Sequence, residues 1–273
     1  MPLVYFLTTT VAAFLTASAV ARRYRVPILL YHSVSPVAKK GRKISINSAA
    51  FERQMRFLKE NYNVLPLETL CALRNENKTF PKNSVAITFD NNFGNFYNYA
   101  LPIIEHYKLP VTLYVIVGEL NKLEPETIKA MKKSGLIDFA SHTISHPYLS
   151  RLNSKELNME LSGSKMLLEK QVDSPINSLA YSYGDFNDQV KQKTKEAGYE
   201  TAVAVYPQHI FAYDDLLSLR RIPITQYSDN MRIFKMQLLG YLDFVQYFGS
   251  LLKRTLIGIS DGHIRYRRKR KDG

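Results

Sequence analysis

The sequence contains one cysteine and no tryptophan in 273 residues. The lone Cys71 excludes an internal disulfide framework and any thiolate-rich zinc site. It leaves the compartment open, since exported enzymes also do without disulfides. Charge is missing altogether from residues 2–21, PLVYFLTTTVAAFLTASAVA. Zinc-finger spacing, aromatic RNA-binding signatures and helix-turn-helix patterns are absent too, which counts against a nucleic-acid partner although the net charge is +13. No repeat or low-complexity tract interrupts the chain. At 45% hydrophobic and 22% charged residues, its composition is that of a globular protein with room for one large α/β domain or two small ones.

The uncharged stretch is just long enough to cross a bilayer as a helix, which takes about 20 residues. Ala19-Val20-Ala21 has the small-x-small form of a signal-peptide cleavage site, but no cation precedes the apolar run as one does in a signal peptide. Residues 1–25 are therefore expected to form a retained membrane anchor, with a cleaved signal segment as the alternative. Arg22, Arg23 and Arg25 follow at once, and cations on that side favour the cytoplasmic face for the rest of the chain. At the other end, residues 265–271 read RYRRKRK, six cations in seven positions, a solvated tail able to hold a polyanion such as anionic lipid. Ahead of it Phe234, Leu238, Tyr241, Leu242, Val245, Phe248 and Leu252 make an apolar stripe flanked by Arg232, Lys235, Lys253 and Arg254. The plain reading is an amphipathic helix that closes the domain; the alternative is a helix lying in the membrane interface. Residues 228–273 are set apart accordingly as a C-terminal helix and basic tail.

Residues 26–227 alternate between two periodicities. Short apolar runs at 26–31, 84–89, 110–117, 136–140, 177–181 and 200–205 read as strands. Helical patterns lie between them: one from Asn47 or Ser48 through Phe51, Met55 and Leu58, then 95–107, 125–133 ending at Gly135, 154–170 opening on SKEL, and 186–197 ending at Gly198. Residues 36–45 read as a loop. Strands that alternate with helices of this length pair in parallel through crossovers, as one barrel or doubly wound sheet. Reactive residues in such folds sit at the C-terminal ends of strands.

Three polar clusters fall at those ends. Asp90 closes SVAITFD, His32 closes ILLYH, and His142 and His146 follow LIDFA in SHTISHP. Set four apart on a helical turn, the two imidazoles can face one metal ion. The ordinary alternative is a pair of surface or capping histidines, and only the preceding strand and the separate carboxylate favour the metal. His106, His209 and His263 read as surface or packing residues.

The segments ILLYHSVSP at 28–36, VAITFDNNFGNFYNYALPIIEHYKLPVTLYV at 85–115, SHTISHPYLSRL at 141–152, LAYSYGDFN at 179–187 and LRRIPI at 219–224 resemble, in one consistent order, the polysaccharide deacetylases of carbohydrate esterase family 4. The likeness extends over most of residues 26–224 and is closest to the branch that includes poly-N-acetylglucosamine deacetylases. It implies an α/β fold, a distorted (β/α)7 barrel, and removal of N-acetyl groups from an N-acetylhexosamine glycan or a lipid-linked aminosugar at a membrane. It implies a divalent metal, zinc first, with cobalt, nickel or manganese also compatible with the donors. By the same resemblance His142, His146 and Asn91 are the metal ligands, Asp90 the general base and His32 the proton donor to the leaving amine. Tyr183 lies in the segment whose backbone N–H holds the oxyanion, and Arg221 orients the base.

The chain departs from the family where TFDDG reads TFDNN. Asn91 stands at the position of a metal-ligating aspartate, and Asn92 at that of a glycine. The Asn91 amide oxygen can coordinate but brings no charge, so metal affinity should fall while a bound cation keeps more of its own charge. Ser182 stands where proline is common, and an aromatic wall that some relatives build with tryptophan has to come from tyrosine or phenylalanine. Two other functions compete: a glycan-binding protein with an impaired site, and a membrane-surface scaffold acting through the basic tail.

Overall fold

The computed structural model describes residues 25–36, 44–90, 95–122, 125–205, 210–211 and 215–240. Six parallel strands form most of a barrel: β1 Ile28–Tyr31, β2 Ser84–Asp90, β3 Val111–Val115, β4 Ile137–Ser141, β5 Ser178–Ala180 and β6 Thr201–Ala204, each hydrogen-bonded to the next. Two short strands complete the sheet. β7, Leu219–Arg220, pairs with β6, and β8, Ile222–Pro223, pairs with β1. They flank Arg221, so one interrupted stretch touches both edges and nearly closes the ring. The strands around the ring number eight, one more than the expected (β/α)7 barrel, and Asn63–Val64 pairs with β2 off this path.

Every residue of β2 is buried because the barrel interior covers one face and helices cover the other. The interior is filled by Ile28, Ala86, Tyr114, Ala140, Ala180, Val203 and Leu219. Outward-facing Leu29, Ile87, Leu113, Phe139 and Leu179 pack under the helices. Each such aliphatic or aromatic side chain is worth about 1.5–3 kcal/mol when fully buried. Helix α1, Ser48–Asn61, starts on the Asn47 side chain, which accepts from Ala49 N–H, and it buries Phe51, Met55 and Leu58 as their spacing predicts. Helix α2, Leu67–Asn75, went unread in the sequence; its Leu67, Leu70 and Cys71 plug the N-terminal mouth of the barrel. Proline 27 interrupts the strand expected over 26–31. Part of the expected 36–45 loop is also ordered, since Ser45–Asn47 pairs with Ser33–Ser35.

At the other mouth Tyr31, Phe51, Phe89 and Phe96 form an aromatic cluster with ring centroids 4.9–5.7 Å apart. It fixes the ends of β1 and β2 directly beneath His32 and Asp90. A polar chain ties the same end to α3, Met231–Leu238. Tyr31 donates to Gln54, Gln54 to the Ser228 carbonyl, Ser228 to Gln237, and Gln237 to the Pro223 carbonyl. Phe234 of α3 is fully buried beside Phe57, so this part of the apolar stripe faces the domain. Among the described residues no helix is long and apolar enough to cross a membrane. Residues 1–24 of the segment expected to be an anchor, the stripe beyond Gly240, the basic tail, His209 and His263 lie outside those residues. His106 is exposed beside the Tyr107 ring.

Candidate active site

Asp90 ends β2 inside the rim of the barrel and is buried. Arg221, in the gap between β7 and β8, meets it with both arms of its guanidinium: Nη1 donates to Oδ1 at 2.5 Å and Nη2 to Oδ2 at 2.6 Å. Nη1 also reaches the Thr88 hydroxyl at 3.3 Å, and the guanidinium lies 5.1 Å from the Tyr114 ring centroid. Burial alone would raise the Asp90 carboxyl, but the Arg221 charge and hydrogen bonds, helped by His142 and His32, win and hold it down at about 2. It is therefore a carboxylate throughout the neutral range.

The two imidazoles converge as the sequence suggests, by a different local structure. Residues 142–147 are an irregular loop in place of a helical turn, with Thr143 at φ 68° and His146 at φ 59°. Left-handed backbone at non-glycine residues costs of order 1–3 kcal/mol each and persists only where the surroundings impose it. Here they do. Glu160 accepts from the Ile144 N–H at 2.8 Å, the Ser145 N–H at 3.0 Å and the Ser145 hydroxyl at 2.5 Å. The Val117 and Gly118 amides donate to the Thr143 and Ile144 carbonyls. The Thr143 hydroxyl accepts from the His146 N–H at 3.0 Å and shares a 3.2 Å hydrogen bond with Ser182. Ser182, the departure from the usual proline, thus braces the histidine loop.

His142 places its Nδ1 2.8 Å from the Ala180 carbonyl, which can only accept, so the proton sits on Nδ1 and Nε2 carries a lone pair. That Nε2 lies 3.1 Å from His146 Nε2 and 3.7 Å from Asp90 Oδ2. Burial lowers His142 to about 4 against the pull of Asp90. His146 is lowered as well, again first by burial. Two neutral imidazoles with converging nitrogens and a carboxylate behind them form a donor set suited to a divalent cation. Asn91, the expected third protein ligand, lies outside the described residues, as does Asn92. Among the described residues no group of three His, Cys, Asp or Glu side chains is placed to hold a metal ion, so a cation on the two imidazoles would need a further donor such as Asn91.

His32 follows β1 at the same rim. Its Nδ1 is buried without a hydrogen-bond partner, and burial lowers its pKa, opposed by Asp90 and reinforced by Arg221 and His146. Tyr183 is 56% exposed and sits in left-handed backbone at φ 59°. Its ring meets His146 edge-on at 4.3 Å and stacks on Tyr148 at 4.2 Å, and Arg151 covers Tyr148 at 4.3 Å. Tyrosines thus supply an aromatic shelf beside the imidazoles in a chain that has no tryptophan. Glu160, Thr88 and Tyr148 were not picked out from sequence. Nothing in their local patterns marks them, since each acts through a neighbour distant in the chain.

A nearly closed parallel barrel with a buried carboxylate–guanidinium pair and paired imidazoles at the C-terminal ends of its strands defines an α/β-barrel hydrolase. Residues 77–202 match the family described as polysaccharide deacetylase. The chain is 30% identical over 178 residues to a poly-β-1,6-N-acetyl-D-glucosamine N-deacetylase of Staphylococcus aureus, covering 59% of this chain and 61% of that protein. A Streptococcus pyogenes deacetylase solved in complex with acetate superposes with a TM-score of 0.71 at 29% identity, over 77% of this chain and 97% of that one. A polysaccharide deacetylase from Bacillus cereus gives 0.70 at 28%, over 78% and 69%. Residues 77–202 are thus similar to the polysaccharide deacetylase family, and the likeness to solved deacetylases extends over about three quarters of the chain.

Proposed function

We propose that this protein is a metal-dependent N-deacetylase that removes acetyl groups from N-acetylhexosamine units of a membrane-held glycan or lipid-linked aminosugar. The observation that carries it is a run of three groups: Asp90 clamped by Arg221, the Nε2 of His142 facing Asp90, and the Nε2 of His146 facing that of His142. His142, His146 and Asn91 would hold the cation. Arg221 keeps Asp90 ionised at the expense of its basicity, so a carboxylate near 2 accepts a proton well only from acidified water, the Lewis-acid chemistry that a divalent cation supplies. Asp90 takes the proton of the attacking water. The Tyr183 backbone N–H steadies the oxyanion, and His32 delivers a proton to the departing amine. Tyr148 and Tyr183 offer their faces to a sugar ring.

The membrane setting rests on the uncharged run at 2–21, the arginines after it and the basic tail, with zinc the first choice of metal. Free acetate is to be assayed after metal-loaded protein is incubated with N-acetylglucosamine oligomers and with a polyprenyl-linked N-acetylaminosugar. Release from one of them is expected. No release from either, with bound metal confirmed by elemental analysis, would remove the proposal. A glycan-binding protein with an impaired site is the second reading, favoured only by Asn91. Asn91→Asp separates the two: a large gain in metal content and turnover marks an impaired site, and a loss marks a tuned ligand.

A further inference from the structure

At the N-terminal mouth of the barrel, opposite the imidazoles, a cavity of about 260 Å³ lies between α2 and the strand starts. Glu68 of α2, Glu76 just past its end, Asp138 of β4 and Glu200 ahead of β6 line it, and among the described residues no lysine or arginine does, in a chain whose bases outnumber its acids 37 to 24. Thr112 is the register partner of Asp138 on the neighbouring strand and also lines the cavity. It is 1% exposed, and its hydroxyl has no hydrogen-bond partner. Burial, then the charge of Glu68, pushes Asp138 up to about 6. Cys71 beside them is pushed up to about 12 by burial, with Glu68 and Glu200 adding to the rise and Arg74 opposing it. Lys132, in the adjoining recess, turns its ammonium to the Val172 and Asp173 carbonyls, and Glu76 is paired with Lys78 at 2.5 Å. Asp138 is thus a mostly buried carboxyl facing another acid, with an unpaired hydroxyl next to it.

We propose that this cavity binds a small organic ammonium ion, of the diamine or amino-sugar class, at a site separate from the hydrolytic one. Ammonium protons satisfy Asp138, Glu68 and the Thr112 hydroxyl together, and a cation relieves the repulsion between the carboxylates. A bare metal ion fits less well. Among the described residues no three acidic, histidine or cysteine side chains converge to chelate one, whereas Leu67, Phe139 and Pro175 give the cavity an apolar wall for a carbon skeleton. Such a ligand bridges α2 to the barrel floor and so stabilises the folded chain.

The test is calorimetric titration of the full chain at neutral pH with 1,4-diaminobutane, with 1,4-butanediol as the uncharged match and calcium chloride as the metal arm. Saturable binding of the diamine alone is expected, weakened at least tenfold in Asp138→Asn and in Glu68→Gln. Glu68 is exposed on its helix, so the second variant keeps the test open if the first fails to fold. The Asp138 carboxyl, followed by NMR, should titrate lower when the diamine is bound. Absence of diamine binding at millimolar concentration, binding unchanged in both variants, or binding of calcium in its place overturns the proposal.

Discussion

The guanidinium of Arg221 grips the carboxylate of Asp90 through both of its oxygens, at 2.5 and 2.6 Å, with the partners 131 positions apart in the chain and both side chains buried. The contact ties the two edges of the barrel to β2 and holds the Asp90 carboxyl ionised at once. Arg221 occupies the break between β7 and β8, where the chain passes from one edge of the sheet to the other. Removing one member of a buried pair strands the other charge, at a cost of about 3–5 kcal/mol. Arg221→Met is expected to lose that much stability in urea unfolding and to raise the Asp90 pKa. Arg221→Lys, which keeps the charge but cannot fork, should fall between Arg221→Met and wild type. Wild-type stability in Arg221→Met would contradict the assignment.

Acid should destabilise the chelator-treated protein in two stages. His142 is depressed to about 4 by burial, while an unfolded histidine titrates near about 6.5. Between those values the unfolded chain binds the extra proton, so stability falls as pH drops, by up to about 1.4 kcal/mol per unit. Asp90, at about 2 when folded and about 3.9 when unfolded, contributes stability that is complete above the unfolded value and lost as pH falls through the folded one. Unfolding free energy measured across pH 4–7 is expected to slope in wild type and to slope less steeply in His142→Asn, where His32 and His146 keep their own shares. Equal slopes in the two would show that His142 is not buried neutral.

The Glu160 carboxylate holds the loop that aims both imidazoles. Glu160→Ala should therefore lower metal affinity by about 10–100-fold, the usual effect of losing a partner that orients a ligand. Metal titration followed by elemental analysis checks this. Gly118→Ala should act in the same direction, since a Cβ there would lie 2.7 Å from the Ile144 carbonyl oxygen. Unchanged affinity in both variants would mean that the loop holds its shape without them.

Much of this architecture was legible in the sequence because it repeats a simple physical pattern. Apolar runs such as 84–89 and 110–117 are bounded by helices whose buried faces recur at 3.6-residue spacing, and that alternation admits few folds. Asp90, His142, His146, His32 and Arg221 stood out as polar residues at strand ends or in matched segments, and the structure brings them to one rim. What escaped has physical causes. Helix α2 is nine residues long and begins at Pro66 without a side-chain cap. The helices around Glu160 and after Asn95 contain π turns at Met159–Gly163 and Phe96–Ala100, which an α-helical spacing does not reveal. The histidine loop looked helical because i and i+4 share a face on a helix; the left-handed backbone at Thr143 and His146 brings the rings together another way, imposed by contacts with Glu160, Gly118 and Ser182.

The most direct measurement is acetate release from an N-acetylglucosamine oligomer by wild type and Asp90→Asn at equal, measured metal content. Loss of the base should lower kcat by about 10²–10⁴-fold, the usual contribution of a positioned acid or base, while metal content stays the same. An Asp90→Asn enzyme that turns over at the wild-type rate with the same bound metal would contradict the account.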